Sequence, residues 1–148
     1  MADINHRLMA PPSLRIQKEL HTAAGDVVTW DLRVAQPNVS HVPMPVIHSM
    51  EHFLGTLLPE LGSGVATVAP MGCQTGFYIV TAGLRDYDRM EALVAHALEQ
   101  VLEAEAVPLA NVEQCGWAEN HTLVGAQRMA RWLLDRRPSW AESAIESR

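Results

Sequence analysis

The stretch HSMEH at residues 48 to 52 places two imidazoles and a carboxylate where they could share one metal ion. On a helix, residues four apart are neighbours, so His48 and His52 could converge on one ion at metal–nitrogen distances of about 2.0–2.1 Å. Glu51 would lie at the edge of that face, and Gly55 would extend it without a side chain. The spacing therefore predicts a metal site with space beyond it. The simpler alternative is that, in a chain with seven histidines, these two lie on one helix by chance and are solvated.

The motif leaves the third metal ligand open. The order H-x-x-E-H occurs in the inverzincin metallopeptidases, where the glutamate is a base and a distant acidic residue is the third ligand. Glu119, or less favourably Glu113, would be that residue here. Cys115 is the other candidate, because a thiolate is a stronger ligand for zinc or ferrous iron than a further carboxylate.

Hydrophobic periodicity predicts the elements that position these residues. Strict alternation indicates a half-buried strand at 27–35, with Asp31 and Arg33 on its polar face. The other predicted elements are helices at 46–58, at 86–104 and from a cap at Asn120 through Leu134, and short strands at 65–70 and 76–83. This order, without βαβ regularity, predicts one α+β domain over 1–148, with an antiparallel-rich sheet packed against helices. We expect residues 139–148 to form a flexible tail.

Composition excludes several function classes. The formal net charge is −6 and the basic residues are scattered, so nucleic acid is not an expected partner. No apolar run approaches the roughly 20 residues that are needed to cross a bilayer. We therefore expect no membrane contact and a cytosolic location. In such a compartment Cys73 and Cys115 are more plausible as a ligand or a reactive thiol than as a disulfide.

Longer stretches around these residues resemble a known family. APMGCQTGFYIV surrounds Cys73 and EQCGWAENHTLVGAQRMARWLL begins just before Cys115, while NHRLMAPPSLR and DLRVAQPN precede HSMEH. Together they closely resemble the S-ribosylhomocysteine lyases of the LuxS family, in the same order over about residues 4–134. The combination of MGCQTGFY, H-x-x-E-H and QCG is highly specific.

The resemblance implies a homodimeric enzyme with one divalent metal per chain and its active sites at the subunit interface. Ferrous iron is the first expectation, with zinc or cobalt as alternatives. The reaction would move a carbonyl along the opened ribose and release homocysteine and 4,5-dihydroxy-2,3-pentanedione by β-elimination. The implied roles are metal ligation by His48, His52 and Cys115, acid/base catalysis by Glu51 and Cys73, and substrate contact by His6, Arg33 and Gly116.

Three of the implied roles have a simpler alternative. Cys73 could be a small buried residue, and His6 an exposed histidine near a terminus. Arg33 could pair with the homocysteine carboxylate, or be a solvated arginine or a partner of Asp31.

Two positions depart from the family pattern, which has a serine where Met1 stands and often an aspartate where Thr67 stands. A catalytically divergent metal-binding dimer is therefore a further alternative, although a structural site would need neither Glu51 nor Cys73.

Overall fold

The computed structural model describes residues 5–62 and 64–141. Within these ranges the chain forms four strands and three α-helices in the order ββαββαα, with short 3-10 helices at His6–Leu8 and Arg137–Ser139. The elements are β1 (Ser13–Thr22), β2 (Gly25–Arg33), α1 (Met44–Glu60), β3 (Val65–Pro70), β4 (Gly76–Ala82), α2 (Tyr87–Glu103) and α3 (Leu123–Asp135).

The four strands form one sheet in the order β1-β2-β4-β3, and every neighbouring pair is antiparallel. Helix α1 packs on β3, and α2 and α3 pack on α1 and on each other. One hydrophobic core joins the layers, with Trp30 on β2, Leu54 on α1 and Leu98 on α2 fully buried within it. The predicted α+β class and antiparallel sheet are confirmed. No described helix is long and apolar enough to cross a membrane.

Strand β1 was not predicted from the sequence. Its pairing with β2 shifts register between Ile16 and Lys18, and this irregularity breaks the alternation by which strands are recognised. The outer half is largely exposed and carries Lys18 and Glu19, which is typical of a protected edge strand. β1 therefore makes β2 an inner strand.

The inner position of β2 corrects one prediction. A half-buried strand was expected, but Asp31 has no exposed surface and Arg33 is 3% exposed, so this end of β2 is buried on both faces. The alternating pattern does not indicate this burial, because it depends on an ion pair in which the two charged side chains neutralise each other inside the protein.

The start of α3 and the C-terminal segment also differ from prediction. Thr122, not Asn120, caps α3, since its hydroxyl accepts a hydrogen bond from the amide of Gly125. Trp140 is fully buried and its indole donates to the carbonyl of Leu133, so the predicted tail is not loose at this residue. The rest of that tail, 142–148, lies outside the described residues, as does Met1.

Candidate metal centre and active-site residues

Helix α1 presents His48 and His52 on one face, as their spacing predicts. The Nδ1–H of His48 donates to the carbonyl oxygen of Asn120 at 3.0 Å, and the Nδ1–H of His52 donates to that of Pro108 at 2.8 Å. A carbonyl oxygen only accepts, so each ring keeps its proton on Nδ1 and leaves Nε2 as a lone-pair donor. Metal-binding histidines are held in this way.

Cys115 reaches the same place from the segment between α2 and α3. Its Sγ lies 3.4 Å from Nε2 of His48 and accepts a hydrogen bond from the amide of Trp117. The amide of Cys115 in turn donates to the carbonyl oxygen of Asn111, which fixes the approach of the segment. The sulfur is therefore placed as a further ligand atom beside the two imidazoles.

His121 is a fourth member of the cluster, and sequence reasoning left it unassigned. The ligand atoms of His48, His52, Cys115 and His121 all lie within 4.8 Å of one another. His121 directly precedes Thr122, the cap of α3, so no helical period connects it with the others. The available signal was its position six residues after Cys115 in a short connection.

The ring of His121 is held on both sides. Its Nε2 lies 3.4 Å from Sγ of Cys115, and its Nδ1 lies 3.1 Å from the hydroxyl of Ser49, a buried residue of α1. Burial, and then the neighbouring charges of His48 and His52, lowers the pKa of His121 to about 4. The imidazole is therefore neutral near pH 7.

Glu51 lies beside this cluster. Its Oε2 is 4.0 Å from Nε2 of His52, and its side chain is about one-third exposed. A cleft of about 300 Å³ opens here, lined by Glu51, His52, Gly55, Thr67 and Gln114, among others. A carboxylate at the rim of an accessible cleft can exchange protons with a bound molecule.

The donor set fits a transition-metal ion. Imidazole nitrogens with one thiolate suit zinc or ferrous iron, whereas calcium and magnesium prefer oxygen. The cluster includes no carboxylate, and in the described part of the chain Glu113 and Glu119 are both exposed and outside it. The ligand set expected for a metallopeptidase is therefore not observed.

Cys73 occupies a different place, the loop between β3 and β4. It is exposed, and its Sγ lies 2.9 Å from the hydroxyl of Thr75. The surrounding cleft has a volume of about 590 Å³, and its lining includes His6, Asn38 and His41. This cleft shares no lining residue with the one at Glu51. One chain therefore does not bring Cys73 and Glu51 together.

The environment of Cys73 favours its ionised form. Burial raises the pKa of the thiol, but hydrogen bonds from the hydroxyl and amide of Thr75 and the charge of Arg33 outweigh that effect. The net result is a pKa below the ordinary value for a thiol. A thiol in this state can act as a base closer to neutral pH.

The three residues expected near the substrate do not share one cleft. His6 is exposed on the Cys73 side, whereas Gly116 follows Cys115 and faces open space. Arg33 does not lie on a solvated face: Nε and Nη2 donate to Asp31, at 3.2 and 2.6 Å, and Nη1 donates to Thr75. Of the alternatives for Arg33, pairing with Asp31 is observed.

Comparison with known proteins decides the family. The family profile described as S-Ribosylhomocysteinase (LuxS) matches residues 2–144. The chain belongs to the LuxS family. It is 39% identical over 144 residues to an S-ribosylhomocysteine lyase of Helicobacter pylori, covering 97% of this chain and 93% of that protein. Lyases of Oceanobacillus iheyensis and Dichelobacter nodosus are 40% and 41% identical over 141 residues, covering 95% of this chain and 92% of each relative.

LuxS membership and the cluster support each other. The likeness spans almost the whole chain, so it includes α1, the segment with Cys115 and the loop with Cys73. The resemblance seen in the sequence is thus confirmed, and a metallopeptidase is not favoured. A His, His, Cys and His group agrees with one metal site per chain.

Proposed function

We propose that this LuxS-family chain is a metal-dependent carbon–sulfur lyase that cleaves S-ribosylhomocysteine to homocysteine and 4,5-dihydroxy-2,3-pentanedione. The observation that carries the proposal is the convergence of imidazole and thiolate donors beside a cleft-facing carboxylate. Such a site can favour negative charge on the oxygens of a bound sugar and move protons at neighbouring atoms.

We assign metal ligation to His48, His52 and Cys115. Two imidazoles bound through Nε2 to one tetrahedral ion have ring centroids about 5 Å apart, given metal–nitrogen bonds of about 2.0–2.1 Å. The rings of His48 and His52 are 4.8 Å apart. The rings of His48 and His121 are only 3.9 Å apart and stacked at 30°, which favours His121 as a neighbour of the sulfur. Three protein ligands leave a position for substrate.

The bound ion would supply Lewis-acid stabilisation of charge that develops on substrate oxygens. Glu51 is proposed to take and return protons on the metal side, because its carboxylate is near His52 and open to the cleft. Cys73 is the second proton carrier, acting as a thiolate stabilised by its surroundings. Both groups are needed because protons must move at successive carbons. Ferrous iron is the proposed ion, and zinc and cobalt suit the same donors.

We propose substrate contacts for His6, which lines the Cys73 cleft, and for Gly116, which is exposed and directly follows Cys115. Substrate contact was the role that the resemblance implied for Arg33, but at 3% exposure this residue has little surface to offer a substrate carboxylate. The hydrogen bond from Arg33 to Thr75 instead favours a role for Arg33 in holding the surroundings of Cys73.

A homodimer would unite the two clefts. Each is flanked by an apolar side chain that a single chain leaves in solvent: Val39 lines the Cys73 cleft and is 79% exposed, and Leu109 lines the cleft at Glu51 and is 48% exposed. Near Cys115, Trp117 is also largely exposed. A second copy that covers these surfaces would carry its Cys73 to the metal side. The need for a free thiolate also favours a reducing compartment, the cytosol.

The direct test adds S-ribosylhomocysteine to iron-loaded protein without oxygen and titrates the thiol released. The expected result is about one homocysteine thiol per substrate, with catalytic turnover. The matched control is Glu51→Gln, which should keep its metal and react about 10²–10⁴-fold more slowly. No thiol release from fully metal-loaded wild-type protein would overturn the proposal. For the peptidase alternative, Glu119→Ala would lose the metal; we expect it to be retained.

A further inference from the structure

A chain of buried polar groups ends at the sulfur of Cys73. Asp31, fully buried on β2, accepts hydrogen bonds from Arg15 and Arg33. Arg33 donates through Nη1 to the hydroxyl of Thr75 at 2.8 Å, and that hydroxyl lies 2.9 Å from Sγ of Cys73. The connection runs from the middle of the sheet to an exposed loop.

The direction of these hydrogen bonds follows from the donor types. A guanidinium has donors only, so the Thr75 oxygen must accept from Arg33. The single hydroxyl proton of Thr75 is then free for the sulfur. When Cys73 is ionised, Thr75 can donate to it, and the neighbouring cation polarises that O–H bond.

The position of Thr75 is fixed from three sides. Its carbonyl oxygen accepts hydrogen bonds from the amides of Val34 and Ala35, at 2.8 and 3.1 Å. The next residue, Gly76, pairs with Arg33 across the sheet, and a Cβ there would lie 2.5 Å from the carbonyl oxygen of Leu32. This close strand approach brings the hydroxyl of Thr75 against the guanidinium. Thr75 itself is 2% exposed.

We infer that Thr75 is a positioning residue for the proposed reaction, whose hydroxyl links the buried Arg33 to Cys73 and holds that sulfur as an oriented thiolate. The inference deepens the proposed function and rests on it for the role of Cys73 in turnover. The lowered pKa of the thiol agrees with this arrangement.

Other charged groups around Cys73 do not replace this link. His6 and His41 line the same cleft, and Asp31 and Arg15 stand behind Arg33. Both histidines are present in every variant at position 75, so their contribution is common to all of them. A comparison between variants at position 75 therefore isolates the hydroxyl.

The test measures how fast iodoacetamide alkylates Cys73 as a function of pH, following the peptide that contains residue 73 by mass spectrometry in metal-loaded protein. In Thr75→Val the midpoint of the profile should move to higher pH. Alkylation below the midpoint should be roughly tenfold slower, because a hydrogen bond to a charged group is lost. At the high-pH plateau the rate should be equal or higher, since a more basic thiolate is more nucleophilic. Altered access alone would scale the rate at every pH.

Thr75→Ser keeps the hydroxyl and should restore the wild-type profile. Thr81→Val is the matched control, because Thr81 is also a fully buried threonine, on β4, and its hydroxyl donates to Leu84 instead. Its profile should match the wild type. If Thr75→Val is poorly folded, Arg33→Lys tests the same link from the other end, and its midpoint should also rise.

An unchanged midpoint in Thr75→Val, or in Arg33→Lys if that variant is the one measured, would overturn the inference. So would a Thr75→Ser profile that follows Thr75→Val. This result is independent of thiol release from S-ribosylhomocysteine, so failure of the lyase proposal and failure of the Thr75 link are distinguishable.

Discussion

The metal side and the Cys73 side of the molecule hold their reactive groups by different means. On the metal side, the rings of His48 and His52 are oriented by carbonyl oxygens of the segment between α2 and α3. On the Cys73 side, the thiol is connected through Thr75 to an ion pair inside the sheet. The first arrangement joins separate parts of the chain around a site for an ion. The arrangement at Cys73 needs no bound ion.

This difference predicts how each half should respond to the loss of one side chain. The metal side depends on ligand atoms that converge from α1 and a segment without a helix or strand, so losing one should release the ion. The Cys73 side depends on charges buried in the sheet, so losing one should destabilise the fold. Four changes, from the largest expected effect to the smallest, test this comparison.

Cys115→Ala should lower metal affinity more than 100-fold, because even the loss of a group that only hydrogen-bonds to a ligand costs about 10–100-fold. The measurement is metal content per chain after dialysis against a weak chelator. Cys73→Ala is the control, and it should retain one metal while losing turnover. Full metal content in Cys115→Ala would remove the thiolate from the ligand set.

Asp31→Asn should destabilise the fold by about 3–5 kcal/mol, since it leaves Arg15 and Arg33 buried without their shared counter-charge. Urea unfolding at fixed protein concentration measures the free energy of unfolding. The comparison variant is Glu91→Gln, which removes the partly exposed pair with Arg137 and should cost under about 1 kcal/mol. Equal effects would mean that the buried pair does not stabilise the sheet.

His121→Ala should lower metal affinity by about 10–100-fold without emptying the site, as expected for a residue that contacts a ligand and not the ion. In cobalt-loaded protein, the absorption bands should shift while their intensity stays that of a four-coordinate site. A loss as large as that of Cys115→Ala would instead identify His121 as a ligand.

Metal removal should loosen one half only. After chelation, amide hydrogen exchange should rise in the segment between α2 and α3 and change little in the loop that carries Cys73. The reason is that a bound metal would join that segment to α1, whereas Thr75 is anchored by β2. An equal increase in amide hydrogen exchange in that segment and in the Cys73 loop would contradict the comparison.

The same contrast explains what the sequence could predict. The pair His48 and His52 follows from a helical period, so their shared face and the element beneath it could be predicted. His121 could not, because it lies before a helix begins and reaches the cluster only through the tertiary path of its segment. The buried state of Asp31 and Arg33 was also missed, since alternation of polar and apolar residues assumes that charges face solvent.

Strand β1 and Trp140 were missed for related reasons. The register shift at Ile16 disturbs the period of β1, and a single tryptophan in a polar stretch gives no period at all. Family resemblance added the acid/base assignments and the choice of Cys115 over an acidic third ligand, which periodicity does not provide. It did not indicate that the hydroxyl of Thr75 lies between Arg33 and Cys73, because that contact depends on strand register.

The most direct test of the central claim, that the two halves act together across two chains, is a mixture of inactive variants. Glu51→Gln and Cys73→Ala are co-expressed, purified together as a random mixture of dimers and assayed for thiol release from S-ribosylhomocysteine. If each site takes Glu51 from one chain and Cys73 from its partner, a random mixture should recover about a quarter of wild-type activity, since half of the dimers hold one intact site. Activity no higher than that of the two variants alone would contradict the account.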